Sequence, residues 1–355
     1  MSFKRFFIGL ICLTLAALIL LGSVTAVIDP FFHYHAPIKG LEYELFYQRY
    51  QNDGILRHFD YDAVITGNSL CENFSASLCD ELFGVKSVKV PFSGASSKEL
   101  DQNIRTAIRS KGEGLRLVVA GVDYSNLLKD KDYMYYEAKD YPSFLYDANP
   151  LNDVKYLLNK SIMKYSADVI SYTLAGNKTT SFDAYSNWDT PELSVFGREA
   201  ALATYERQWD SGMCFEMNEE YEALLMGNLQ QNFIDTISAN PQIDFYLFFP
   251  PYSILFWDKL DRAGSLQLQL QAEKMAIETL LEYENVHLFY FMDEFELICD
   301  LDRYKDYIHY DSAVNDWMME CMAAGEHRIT RDNYPEYCGR MYDFYTTYDY
   351  DAICE

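Results

Sequence analysis

Tyr61-Asp62-Ala63-Val64-Ile65-Thr66-Gly67-Asn68-Ser69 is the stretch that decides the fold. Residues 63–66 are apolar or β-branched, the pattern of a short buried strand, and a Gly-Asn-Ser turn follows at once. The Gly permits a tight turn. A Ser just past a strand is presented at the carboxyl end of a sheet, where open α/β folds bind ligands. Working outward, runs of the same character recur at 85–90, 115–122, 245–249 and 286–291. Most are almost continuously apolar, as strands covered on both faces must be. The run at 85–90 carries Lys86 and Lys89 and is expected nearer an edge. Helical patterns separate them at 77–83, 96–109 (Ser96 or Ser97 as cap, Glu99 in the first turn), 219–238, 260–284 and 311–323. Strand alternating with helix predicts an α/β class fold with a three-layer parallel sheet of about five strands.

The alternation stops over residues 125–218, which read as a mainly helical insertion. It holds a charged run at 129–132, a Tyr-rich run at 133–141, a helical pattern at 151–174 and a polar loop around 176–189. So long an excursion is expected to be either a lid or substrate wall over one end of the sheet, or a purely structural addition. The α/β domain is expected over 61–325, followed by an acidic, Tyr-rich tail at 326–355. At the other end, Lys4 and Arg5 precede an uncharged run from Phe6 to Ile28. That run is long enough to cross a bilayer, and the positive charges before it place the bulk of the chain outside. Residues 1–28 therefore read as a signal anchor and transmembrane helix, with 29–60 a juxtamembrane segment and an extracytoplasmic remainder at the cell membrane. Val24-Thr25-Ala26 offers the alternative of a cleavage site, and both readings export the rest.

The 355 residues carry 29 Lys and Arg against 54 Asp and Glu, a net charge of −25. Such a surface repels phosphate backbones, which argues against nucleic-acid binding. The 30 Tyr serve a core and half-buried surface, or a flat face on which sugars stack. Seven cysteines follow the anchor, in a compartment that permits disulfides. Cys299/Cys321 and Cys338/Cys354 are the expected pairs, and Cys71/Cys79 a third if the helix there starts late; Cys214 is the natural free thiol. No C-x-x-C spacing and no His/Cys cluster is present, so no metal site and no cofactor is expected. His33 and His35 lack a nearby third ligand and read as interfacial side chains.

Asp306-Tyr307-Ile308-His309 supplies the second piece of chemistry, because His309 alone of six histidines has an Asp three residues before it. A nucleophilic Ser needs a base, and the base needs a partner that fixes its tautomer. Ser69, His309 and Asp306 are the expected catalytic residues. In Pro91-Phe92-Ser93-Gly94-Ala95-Ser96, Gly94 is placed to turn its backbone N–H towards an oxyanion. Phe249-Pro250-Pro251-Tyr252-Ser253 follows the fourth strand; Tyr252 is expected to line a pocket and Ser253 to hydrogen-bond a substrate, unless the segment is only a rigid turn.

The order of these pieces resembles the SGNH/GDSL hydrolase superfamily. Gly67-Asn68-Ser69 corresponds to its G-D-S block, Gly94 to the next donor, and Asp306/His309 to its late D-x-x-H. With the anchor, Asp29-Pro30-Phe31 and an exported domain, the chain looks like the extracytoplasmic branch, which includes the membrane protein of lipoteichoic-acid D-alanylation and the alginate-type O-acetylation proteins. Asn68 stands where the family has Asp. The G-x-N-D block is replaced by Gly121-Val122-Asp123-Tyr124-Ser125-Asn126, leaving Asn126 as the stand-in oxyanion donor. The resemblance implies a serine esterase or acyltransferase acting on an acylated envelope polysaccharide or glycolipid, with a membrane acyltransferase as a candidate partner. A non-catalytic envelope scaffold or sugar-binding protein on the same fold is the alternative.

Overall fold

β1 (Ala63–Thr66), β2 (Ser87–Lys89) and β3 (Leu117–Gly121) have no exposed residue, the environment that unbroken apolar runs require. With β4 (Asp244–Phe249), β5 (Val286–Tyr290) and β6 (Arg328–Ile329) they form one sheet in the order β2-β1-β3-β4-β5-β6. This computed structural model describes residues 3–136 and 141–354. β1 to β5 are parallel, while β6 runs antiparallel to β5, pairing Leu288 with Ile329 and Phe289 with Arg328. The expectation of about five parallel strands is thus corrected to six in a mixed sheet. β6 has two residues, too few to carry a periodic signal, and lies in what reads as a surface tail.

β2 is an edge strand, as its lysines suggested, but Lys89 is fully buried. Its Nζ donates to the carbonyls of Glu72 (2.6 Å) and Asp183 (3.2 Å). Burial pulls its pKa down to about 8. After β2, the helix Ser97–Lys111 starts with a reciprocal cap, the Glu99 N–H donating to Ser96 Oγ and the Ser96 N–H to Glu99 Oε2. The single helix expected over 260–284 is two, Ile254–Arg262 and Leu266–Leu280, broken at Gly264 with φ +72°. A Cβ there would lie 2.2 Å from the Met213 carbonyl oxygen, so the break requires Gly.

Neither Cys299/Cys321 nor Cys71/Cys79 is paired, and the expected Cys338/Cys354 pair falls outside the described residues. Cys299 Sγ faces the Tyr348 hydroxyl and Cys321 Sγ the Glu326 carboxylate, each at 3.8 Å. Cys71, Cys79 and Cys214 are also free thiols.

The chain divides into two units, Tyr61–Tyr135 with Phe182–Glu355, which carries the sheet, and Met1–Asp60 with Tyr136–Ser181. The insertion expected over 125–218 is therefore split: its middle, 136–181, belongs with the N-terminal residues, and both its ends, 125–135 and 182–218, belong with the sheet. In the N-terminal unit the helix Phe3–Ile28 has 26 residues, apolar and mostly exposed, long enough to cross a membrane. Asp29 ends it in a left-handed conformation and is fully buried. Its carboxylate accepts the backbone N–H groups of His33, Tyr34 and His35 and the Tyr156 hydroxyl, at 2.6–3.0 Å. Phe31, Leu145, Tyr156 and Ile162 form the apolar cluster beside it. His33 faces Asp153 at 3.5 Å, and both ring nitrogens of His35 lie against backbone carbonyls.

Candidate active site

β1 delivers Ser69 through a turn that tolerates only Gly at position 67. Gly67 has φ +153°, and a Cβ there would lie 2.2 Å from the Cys71 sulfur. Cys71 fills the notch between Gly67 and Gly121; burial pushes its thiol pKa up to about 12, which leaves it an inert packing group. Asn68 caps the short turn Ser69–Cys71, its Oδ1 accepting the Leu70 N–H at 3.0 Å. Ser69 therefore sits above the carboxyl end of β1, between β2 and β3, where the strand order reverses.

The structure brings Ser69, His309 and Asp306 together. Ser69 Oγ is 2.7 Å from His309 Nε2, and His309 Nδ1 is 2.7 Å from Asp306 Oδ2. An Nδ1–H donated to the carboxylate leaves Nε2 as the lone-pair acceptor for the serine proton. Asp306 Oδ1 also accepts the backbone N–H groups of Ile308 (2.9 Å) and His309 (2.8 Å). Burial raises the Asp306 pKa, but these hydrogen bonds and the charge of His309 outweigh it and hold the carboxyl below its ordinary range. The loop is closed by a Tyr304–Tyr310 bridge and braced on the segment after β4, where the Tyr304 hydroxyl donates to the Pro251 carbonyl at 2.9 Å.

The other expected site residues divide. Gly94 (φ +64°) and Ser69 border the same cleft, and among the described residues neither backbone N–H has a protein acceptor. Tyr252 lines the cleft, with its hydroxyl donating to Asp123 Oδ1 at 2.7 Å. Asn126 lines it too, but both amide hydrogens are spent, on the Ala95 carbonyl (2.8 Å) and Asp123 Oδ2 (2.9 Å). Ser253 does not reach the cleft. It is fully buried, and its Oγ donates to the Tyr307 carbonyl at 2.6 Å, which steadies the His309 loop instead of facing a ligand.

Two residues escaped the sequence reading. Asp123 follows β3 and is the hub of the site. Its carboxylate accepts Asn68 Nδ2 (2.8 Å), Asn126 Nδ2, the Tyr252 hydroxyl, and the N–H (2.8 Å) and Oγ (2.7 Å) of Ser125. Trp188, from the insertion, donates Nε1–H to the Ser69 carbonyl at 2.9 Å and meets the His309 ring edge-on at 5.3 Å. Lys305 Nζ lies 3.5 Å from the Trp188 ring centroid. Asp123 was legible as the acid that follows β3; nothing local marked Trp188.

The cleft has a volume of 440 Å³. Lys129 lies over Tyr133 and Lys259 over Tyr307, and all four residues line it. Neither lysine has a carboxylate partner among the described residues, in a chain where acids outnumber bases 54 to 29. Among the described residues the one acid in the lining is Asp123, the hub already engaged by donors. The lining thus combines Ser69, hydrogen-bonded to His309 and through it to Asp306, with flat aromatic rings and two ammonium groups.

No protein-family model and no curated protein matches the chain.

Proposed function

We propose that this chain is an exported, membrane-anchored serine esterase or acyltransferase of SGNH-like arrangement, acting on acyl groups carried by envelope glycans. The observation that carries the reading is the unbroken Ser69–His309–Asp306 hydrogen-bond chain, whose serine lines an open cleft. Ser69 Oγ attacks the acyl carbonyl as its proton passes to His309 Nε2. The tetrahedral intermediate collapses to acyl-Ser69, and the departing alcohol takes the proton from Nε2. Water or a sugar hydroxyl then attacks the acyl-enzyme, losing its proton to Nε2, and Ser69 recovers it. Asp306 holds the imidazole and stabilises its charged form. The backbone N–H groups of Ser69 and Gly94 are the oxyanion donors in this reading, since the hydrogens of Asn126 are occupied. The Tyr133 and Tyr307 rings with Lys129 and Lys259 favour a glycan that bears negative charge.

A serine-directed phosphonate tests the assignment. The full-length protein should be labelled and should hydrolyse short-chain aryl esters, and Ser69→Ala should lose both. Labelling that persists in the variant refutes the role of Ser69. The engaged amide of Asn126 favours a second reading, a sugar-binding scaffold on the same fold. Wild-type protein that binds acylated glycan but takes up no phosphonate is the result that reading requires.

A further inference from the structure

The pairing of β6 with β5 does more than extend the sheet. The Tyr290 N–H donates to the His327 carbonyl at 3.0 Å, which fixes the residue before β6 against the end of β5. Asp293 and Glu294 lie just past that end. One ligand atom from each of Asp293, Glu294 and His327 falls within 4.8 Å of the others. His327 Nδ1 stands 3.5 Å from Glu294 Oε1, too far for a good hydrogen bond. By contrast, His309 and Asp306, and His287 and Asp244, close to 2.7 Å and 2.9 Å.

A second observation concerns Asp293. Its side chain is only 6% exposed. Oδ2 is engaged by Arg340, while Oδ1 is buried with no hydrogen-bond partner. A buried carboxylate oxygen left unpaired is costly, and a cation is the partner that would satisfy it. The carboxylates of Asp293, Glu294 and Glu336 against the Arg340 guanidinium leave two negative charges for a divalent ion to balance.

We infer that Asp293, Glu294 and His327 form a divalent-cation site, suited to zinc or a similar transition ion, that clamps β6 to the end of β5. Two carboxylate oxygens and one imidazole are a donor set such ions take, with a fourth position left for water. Two ligands on a tetrahedral zinc with bonds of ~2.1 Å stand about 3.4 Å apart, close to the His327–Glu294 separation. Phe291 and Trp317 flank the His327 ring at 5.3 and 5.4 Å and shield one side of the site from water. The ligands come from two segments about 30 residues apart, so sequence spacing did not reveal them.

The test uses the full-length protein in detergent, stripped with chelator and titrated with zinc chloride by calorimetry, with cobalt absorption as a second readout. One equivalent should bind, with a dissociation constant in the micromolar range or tighter. Glu294→Gln and His327→Gln should each weaken binding at least about tenfold. Arg340→Gln should strengthen it, by removing a neighbouring positive charge. Phosphonate labelling of Ser69 should be unchanged in Glu294→Gln, so the result is independent of the proposed catalysis. No saturable binding up to about 1 mM zinc, or equal affinity in wild type and both ligand variants, overturns the site. If His327→Gln fails to fold, Glu294→Gln decides alone.

Discussion

Asp123→Asn removes one charge and almost no volume, and it strikes the point on which five donors converge. In the wild type Oδ2 accepts Asn68 Nδ2 at 2.8 Å and Asn126 Nδ2 at 2.9 Å. Oδ1 accepts from Tyr252 and twice from Ser125. An amide offers one acceptor oxygen and places an NH₂ at the other position. The less damaging orientation puts that NH₂ against two other amide donors and forfeits two bonds to a charged acceptor. At about 1.5–3 kcal/mol each, the loss is roughly 3–6 kcal/mol, a large share of an ordinary domain's stability. Asn68 immediately precedes Ser69, so the nucleophile's turn should loosen as well, and a displacement of ~1 Å costs on the order of 10²-fold in rate. The assays are the urea midpoint of the full-length protein in detergent and the rate of phosphonate labelling. Ser125→Ala removes one of the five donors at an exposed residue, where water can replace the lost bond; it is the control and should cost well under the ~1.5–3 kcal/mol of a buried bond to a charged group. Asp123→Asn with a urea midpoint and labelling rate equal to wild type refutes the hub.

Asp306→Asn keeps the shape but removes the charge that orients His309; ester turnover should fall by as much as ~10⁴, read as kcat, and full activity in the variant shows that Asp306 does not orient the base. Glu273 is buried, and burial pushes its pKa up to about 8. Because the folded value lies above the unfolded one of ~4.5, Glu273's own contribution to stability is fully present below pH ~4.5 and is lost as pH rises towards 8, a difference of up to about 5 kcal/mol. Glu273→Gln should flatten that decline in urea midpoints taken between pH 5 and 8, and an unchanged slope in the variant shows that Glu273 is not its source.

What the sequence revealed and what it hid follow from one physical difference. β1, β3, β4 and β5 are short, apolar and buried, so their composition alone betrays them. The residues that immediately follow a parallel strand must lie at its carboxyl edge, which is why Ser69 and Gly94 were legible from order along the chain. Asp306 and His309 were legible because their partnership is local, three residues on one loop. The remaining features rest on partners distant in sequence. Ser253 looks like a pocket residue until the Tyr307 carbonyl claims its hydroxyl. Asn126 looks like a free donor until Ala95 and Asp123 take both hydrogens. Trp188 joins the site through contacts with Ser69 and His309, each more than a hundred residues away. The cysteines mislead for the same reason: short separation suggests a loop to be closed, but Cys299 packs on Tyr348 and Cys71 fills a glycine-lined notch.

Net charge is a poor guide to this cleft because charge acts over a limited range. At physiological salt the screening length is ~8 Å, so most of the excess acids are hidden from a ligand seated over Ser69. What such a ligand meets is the lining itself, which includes Lys129 and Lys259, and whose one carboxylate among the described residues is engaged by five donors. The acidic exterior keeps anionic polymers at a distance, and the cleft is where that repulsion is locally reversed. Under the proposed function, a segment of charged glycan entering the cleft would be drawn towards the two ammonium groups, with the tyrosine rings supplying flat apolar contact. That combination favours a polymer presented one segment at a time over broad adsorption to the protein surface, which is the presentation that the proposed action on acyl groups along a chain would need.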